Sequence, residues 1–240
     1  MHPVTYYSPE DQLNESLTCC CFFCYPDAER LVFQTRNFYA LLGLGPIAEG
    51  YTILASKEHY RCCHEIPKEL WEEMLACISF LRDLLGETYG VPIIYEHGRA
   101  GGCFVREGDF KHCFHAHLNL LPCTILPDFQ PQDNAERHVV WTRVESLQAF
   151  LSSGESNPYL LLNSAAHGWF AAWLSDPRQL QPQYLRRVIA SHMQVGNAWN
   201  WFENPNAPAV ARAKATFTEK TKSPVCPPSN LLDLEFKWGI

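Results

Sequence analysis

The sequence predicts an α+β domain, on two observations. Short strand-like segments recur through the first half of the chain, and between them one stretch from Pro67 to Gly86 or Gly90 repeats apolar residues at helical spacing. The totals agree with a folded domain, since 47% hydrophobic against 19% charged residues over 240 residues supplies a real core. A formal charge of −7 argues against broad attraction to nucleic acid or to an anionic membrane, so any phosphate must be held by a local site. Met1-His2-Pro3-Val4-Thr5 lacks the basic and apolar regions of a secretory signal. No apolar run approaches the roughly 18 residues of a membrane span. The expectation is a cytoplasmic protein with no membrane partner. Eleven cysteines, an odd number in that setting, point to reduced thiols and metal ligation over a disulfide framework.

In order, residues 1–18 read as a polar arm. Cys21-x-x-Cys24 follows, a spacing that lets two thiolates grip one ion from a tight turn, with Cys19 and Cys20 as alternative partners in register and simple burial as the competing explanation. Residues 31–35 and 38–42 read as strands around a turn at Arg36-Asn37, and 51–55 as a third. His59, just beyond it, either completes a metal site or caps a loop. In the helix, Leu70, Met74, Cys77, Ile78, Leu81, Leu84 and Leu85 form the apolar stripe, while Glu69, Glu72, Glu73, Arg82 and Asp83 mark the wet face. Residues 91–95 read as a strand that leads into a loop, Glu96-His97-Gly98-Arg99-Ala100-Gly101-Gly102. Its glycines permit close approach of backbone to a ligand, and Arg99 offers a charge for phosphate oxygens; a plain surface loop fits equally well.

The most informative segment is Phe114-His115-Ala116-His117-Leu118-Asn119-Leu120-Leu121-Pro122. Strand alternation puts His115, His117 and Asn119 on one face and Phe114, Ala116, Leu118 and Leu120 on the other. A half-buried strand would alternate in the same way. Two imidazoles and an amide on one rigid strand also make a preorganised site for a phosphate ester, since histidine serves as nucleophile, acid or base near neutral pH. After Pro122, residues 127–136 read as a linker and 152–157 as a loop. Residues 159–162 read as a strand returning to the main sheet, 183–190 as a helix bearing Arg186 and Arg187, then Trp199-Asn200-Trp201 and a polar tail.

His115-Ala-His117-Leu-Asn119-Leu-Leu-Pro122 resembles the His-x-His-x-His-x-x-Pro signature of the histidine triad superfamily of nucleotide hydrolases and transferases. The upstream order, Cys21-Phe-Phe-Cys24, Phe38-Tyr-Ala-Leu-Leu, Pro46 to Tyr60 and one long helix, is similar as well. The Glu96-His97-Gly98 segment looks like a prokaryotic branch, and residues 185–201 resemble a C-terminal extension carried there. The resemblance spans residues 19–126, with 127–240 as an extension packed on that domain. It implies a mainly antiparallel sheet of about five strands, one long helix on one side, and the histidine strand facing a cleft. It implies a structural zinc on Cys21, Cys24, His59 and His115, with His112 as a rival ligand. It also implies nucleophilic attack by His117 on the α-phosphate of a nucleotide or nucleotide conjugate. Asn37, Arg99, Lys111 and Arg186 are the candidates for phosphate contact. Homodimerisation is common in the superfamily, and an extension over the usual interface would block it; the sequence leaves both open.

Two departures bear on the chemistry. The third histidine is Asn119, whose amide donates a hydrogen bond but supplies no proton at pH 7, so Asn119 favours leaving groups that need little protonation. The polar run that usually precedes the triad is replaced by Gly108-Asp109-Phe110-Lys111. Three readings follow: a nucleotidyl transferase, phosphorylase or hydrolase working through His117; a nucleotide-binding or regulatory module that has lost its chemistry; and an RNA-processing factor, against which the acidic balance counts.

Overall fold

The computed structural model describes residues 23–100, 104–106, 109–111, 115–122, 139–154, 157–222, 231 and 233–239. The expected arm 1–18, Cys19 to Cys21, His112, Phe114 and the linker 127–136 lie outside the described residues. The architecture is α+β, but its main sheet is antiparallel throughout and has nine strands instead of about five.

The first half follows the sequence reading closely. β1 (Leu31–Gln34) and β2 (Phe38–Leu42) form the expected hairpin, and β3 (Thr52–Ser56) pairs with β2. A 3₁₀ turn at Lys68–Leu70 leads into α1 (Trp71–Thr88), which buries Met74, Cys77, Ile78, Leu81, Leu84 and Leu85 as the periodicity requires. Gly86 stays inside this helix. Gly90, with φ of 101°, stops it by donating its N–H to the Leu85 carbonyl at 3.1 Å. Glu73 departs from the wet face assigned to it and is only 4% exposed. Its carboxylate accepts the Asn37 backbone N–H at 2.8 Å and the Asn37 side-chain amide at 2.6 Å, which offsets the cost of burying the charge.

β4 (Pro92–Gly98) runs beyond the strand expected at 91–95, so Glu96, His97 and Gly98 belong to a strand and not to a loop. The cause is non-local. Gly98 pairs with Tyr159, and a Cβ at Gly98 would collide with the Tyr159 ring. β5 (Phe104–Arg106) and β6 (Asp109–Lys111) form a separate hairpin, and β7 (His117–Pro122) is the histidine strand.

The second half completes the same sheet. It contributes β8 (Thr142–Val144), α2 (Leu147–Leu151), β9 (Tyr159–Ser164), β10 (Gly168–Trp173), α3 (Tyr184–His192), α4 (Ala207–Lys222) and β11 (Lys237–Trp238). The strand order is β11-β1-β2-β3-β7-β4-β9-β10-β8, so β9 returns to the sheet as expected, beside β4, and β10 and β8 extend it. The expected polar tail is in part the helix α4. It buries Ala209, Ala213 and Phe217, a narrow stripe at helical spacing.

Both faces of the sheet are covered, not one. Phe38, Leu54, Leu118, Leu120 and Leu161 pack with α1 and with Phe217 of α4. On the other face Ile93, Tyr95, Leu160 and Leu162 pack with Leu185 and Ile189 of α3. α3 thus covers β4 and β9 and leaves a cleft over β3 and β7. Among the described residues no helix is long and apolar enough to cross a membrane. Cys24, Cys62, Cys63 and Cys77 are in no disulfide.

Candidate active site

β7 alternates as its sequence requires. Ala116, Leu118 and Leu120 are buried on the α1 face, and His117 and Asn119 line the cleft on the opposite one. His117 Nδ1 lies 2.9 Å from the His115 carbonyl oxygen. A carbonyl only accepts, so Nδ1 carries the proton and Nε2 keeps the lone pair. Burial pushes the His117 pKa below the ordinary histidine range. A neutral imidazole with its lone pair on Nε2 is the reactive form of a histidine nucleophile. Phe23 stacks on this ring, with centroids 5.0 Å apart and planes inclined by 27°.

Asn119 is 5% exposed, and its amide is engaged on both sides. Its Oδ1 accepts the Tyr51 hydroxyl, and its Nδ2 donates to the Tyr95 carbonyl at 3.3 Å. The third position of the motif is therefore tied into the cleft floor.

A cluster of metal-ligand type adjoins it. Cys24 Sγ lies 3.1 Å from His59 Nε2 and 3.5 Å from His115 Nε2, and the three ligand atoms lie within 4.8 Å of one another. His115 Nδ1 donates to the Ser56 carbonyl at 2.9 Å, which fixes the tautomer and turns Nε2 toward the thiol. Burial, with His59 and His117 as lesser contributors, holds the His115 pKa down at about 4, so the ring stays a neutral ligand through the physiological range. These three residues could hold a metal ion. Cys21, the expected fourth ligand, lies outside the described residues.

The far wall of the cleft comes from α3. Arg186, on this helix, is only 5% exposed. Its Nε donates to the Trp199 carbonyl at 2.8 Å, and one Nη donates to Gly45 at 2.6 Å and Ala198 at 3.3 Å. Gly45 has φ of 57° and lies against the Trp201 backbone, where no side chain would fit. The Arg186 guanidinium carbon sits 5.2 Å from the centroid of the Tyr51 ring. Arg187 turns the other way, stacked on Trp199 at 3.3 Å. His97, carried by β4 past Tyr95, also lines the cleft, and its Nε2 accepts the Leu185 backbone N–H at 3.0 Å.

The fold thus brings together Cys24, His59, His115, His117, Asn119 and Arg186. Two expected phosphate contacts stay outside the cleft lining. Asn37 is bound to Glu73 on the α1 side, and Arg99, at φ of 57°, has its Nη1 4.0 Å from a Glu65 carboxylate oxygen. The Lys111 side chain lies outside the described residues. Tyr51 and His97 are cleft residues that the sequence reading passed over. For His97 the signal was available, since strand alternation continued two residues past Tyr95 puts it on the Tyr95 face.

No protein-family model matches the chain, and no curated protein does. Among the solved structures similar to parts of it are two of comparable overlap. One is a zinc-bound histidine triad family protein from Mycobacterium smegmatis, at 20% identity over 47% of this chain and 81% of that one, with a TM-score of 0.35. The other is a hypothetical protein from Leishmania major, at 19% identity over 44% and 74%, with a TM-score of 0.33.

Proposed function

We propose that this chain acts at the α-phosphate of a nucleotide or nucleotide conjugate through a covalent nucleotidyl-His117, in a cleft of the histidine triad type. The observation that carries this reading is the His117 tautomer: Nδ1–H is held by the His115 carbonyl, and the neutral Nε2 keeps its lone pair in a cleft. The motif resemblance supports it. In the first step the Nε2 lone pair forms the N–P bond while the bond from phosphorus to the leaving group breaks and its electrons depart with that group. In the second, water or another acceptor attacks phosphorus, the N–P pair returns to Nε2, and the acceptor's proton passes to solvent.

The cleft supplies two chemistries that suit such a ligand. Leu41, Ile53, Phe23 and Trp201 give the cleft apolar and aromatic lining for a base or other ring, and the buried Arg186 cation in the same lining favours an anionic group. Cys24, His59 and His115, with Cys21, suit a structural zinc ion, which would tie residues 21–24 to the start of β7. Cysteine sulfur and imidazole nitrogen are donors that zinc prefers.

With an engaged amide at Asn119, departure rests on the leaving group's own stability. The proposed enzyme therefore prefers p-nitrophenyl esters of nucleoside 5′-monophosphates to nucleoside 5′-phosphoramidates, whose amine must be protonated to leave. Turnover of both classes is the test. Release from the esters that His117→Ala abolishes supports the reading; equal release by that variant overturns it. The engaged Asn119 amide also favours a second reading, a nucleotide-binding module without chemistry. Calorimetric binding of nucleotides with no release from any ester would select it.

A further inference from the structure

We infer that His97 is a hydrogen-bond donor to the phosphoryl group at His117, beside an Asn119 amide that is already bound into the cleft floor; this rests on the nucleotidyl-histidine reading above. Asn119 is already engaged on both sides. Its oxygen receives the Tyr51 hydroxyl and its nitrogen serves the Tyr95 carbonyl, so the amide is bound into the cleft floor.

The sheet register then supplies a replacement. Tyr95 pairs with Asn119 across antiparallel β4 and β7. His97 lies two residues after Tyr95, and His117 two residues before Asn119, which puts both side chains on the cleft face just past the last pair of this ladder. Both line the cleft, and His97 is half-buried.

The tautomer of His97 follows from its partner. Nε2 accepts the Leu185 N–H at 3.0 Å, so the ring proton sits on Nδ1. That one bond fixes the ring's orientation and leaves Nδ1–H as its donor. Burial, with His117 and Arg186 as further causes, holds the pKa down at about 3, so the ring is a neutral donor at physiological pH and not a general acid. The role fits the developing charge on the phosphoryl oxygens, which a preorganised N–H stabilises without any proton transfer.

A histidine that merely caps the N-terminus of α3 makes the same bond to Leu185, so the test must separate the two nitrogens. His97→Gln can keep an acceptor near the Nε2 position and removes the Nδ1–H donor. His97→Asn can keep an N–H near the Nδ1 position and loses the bond to Leu185. The probe is the set of p-nitrophenyl esters of AMP, GMP, CMP and UMP, with p-nitrophenolate release followed alongside the melting temperature of each variant. The expected result is a wild-type melt for His97→Gln with kcat reduced on the order of 100-fold, and a lowered melt for His97→Asn with the smaller loss of kcat. Rates that follow the melting temperatures, or an unchanged His97→Gln in an active background, overturn the role of His97 alone. A folded wild type that releases nothing from any ester overturns the nucleotidyl-histidine reading, and this role with it.

Discussion

The Tyr51 hydroxyl donates a hydrogen bond to Asn119 Oδ1, joining β7 to the residue that leads into β3 on the floor of the cleft. Restoring the third histidine is therefore not a simple gain. Asn119→His has to seat a larger ring beneath Tyr51 and replace two hydrogen bonds. Urea unfolding is expected to show a loss of about 1–3 kcal/mol, with no rise in p-nitrophenolate release.

Zinc binding is expected at one ion per chain, by elemental mass spectrometry of protein purified without chelator. Cys24→Ser and His59→Ala should each lower the stoichiometry and the melting temperature together, because the ion would join segments distant in sequence. Chelator added to wild type should produce the same fall. A chelator-insensitive melt would remove the metal from the account.

Arg186 serves three carbonyls with a planar fork, whereas a lysine ammonium on a flexible stem cannot reproduce that geometry. Arg186→Lys keeps the charge and should still cost about 2–4 kcal/mol by urea unfolding. Arg187→Lys is the control, since Arg187 stacks on Trp199 and bonds the Pro182 carbonyl. Its cost should be clearly the smaller.

Glu96 predicts a pH dependence. It is 2% exposed and accepts the Tyr159 hydroxyl at 2.6 Å and the Cys63 N–H at 2.8 Å, yet burial dominates and pushes its pKa up to about 7. Between the ordinary carboxyl value of about 4.5 and about 7, the unfolded chain holds fewer protons on this group than the folded one, so its contribution to stability falls as pH rises through that window and is flat above it. Glu96→Gln should therefore gain on wild type from pH 4.5 to 7, by on the order of 3 kcal/mol if the whole shift is expressed. Paired melts across that range read the difference. A constant offset would show that Glu96 does not titrate there.

What the sequence disclosed was local. The alternation from Ala116 to Leu120 and the helical stripe from Met74 to Leu85 depend on neighbours along the chain, and both appear in the fold as read. Gly98 and His97 were misread because their strand is extended by pairing with β9, some sixty residues away in sequence. Arg186 could not be told from a surface arginine, since its carbonyl partners at Gly45 and Trp199 come together only when α3 closes over the sheet. Of the strands that were not anticipated, the two-residue β11 and the three-residue β8 are too short to carry a period. For α4 a signal existed in Ala209, Ala213 and Phe217, but alanines are a weak mark of a buried stripe.

The measurement that tests the central claim most directly is the intact mass of the protein after brief reaction with the p-nitrophenyl nucleotide esters and quenching in alkaline denaturant. Wild type is expected to gain a nucleotidyl group that maps to His117, is lost after a short acid treatment, and is missing from His117→Ala. A folded, zinc-loaded wild type that gains no mass, or an adduct that persists in His117→Ala, would contradict it.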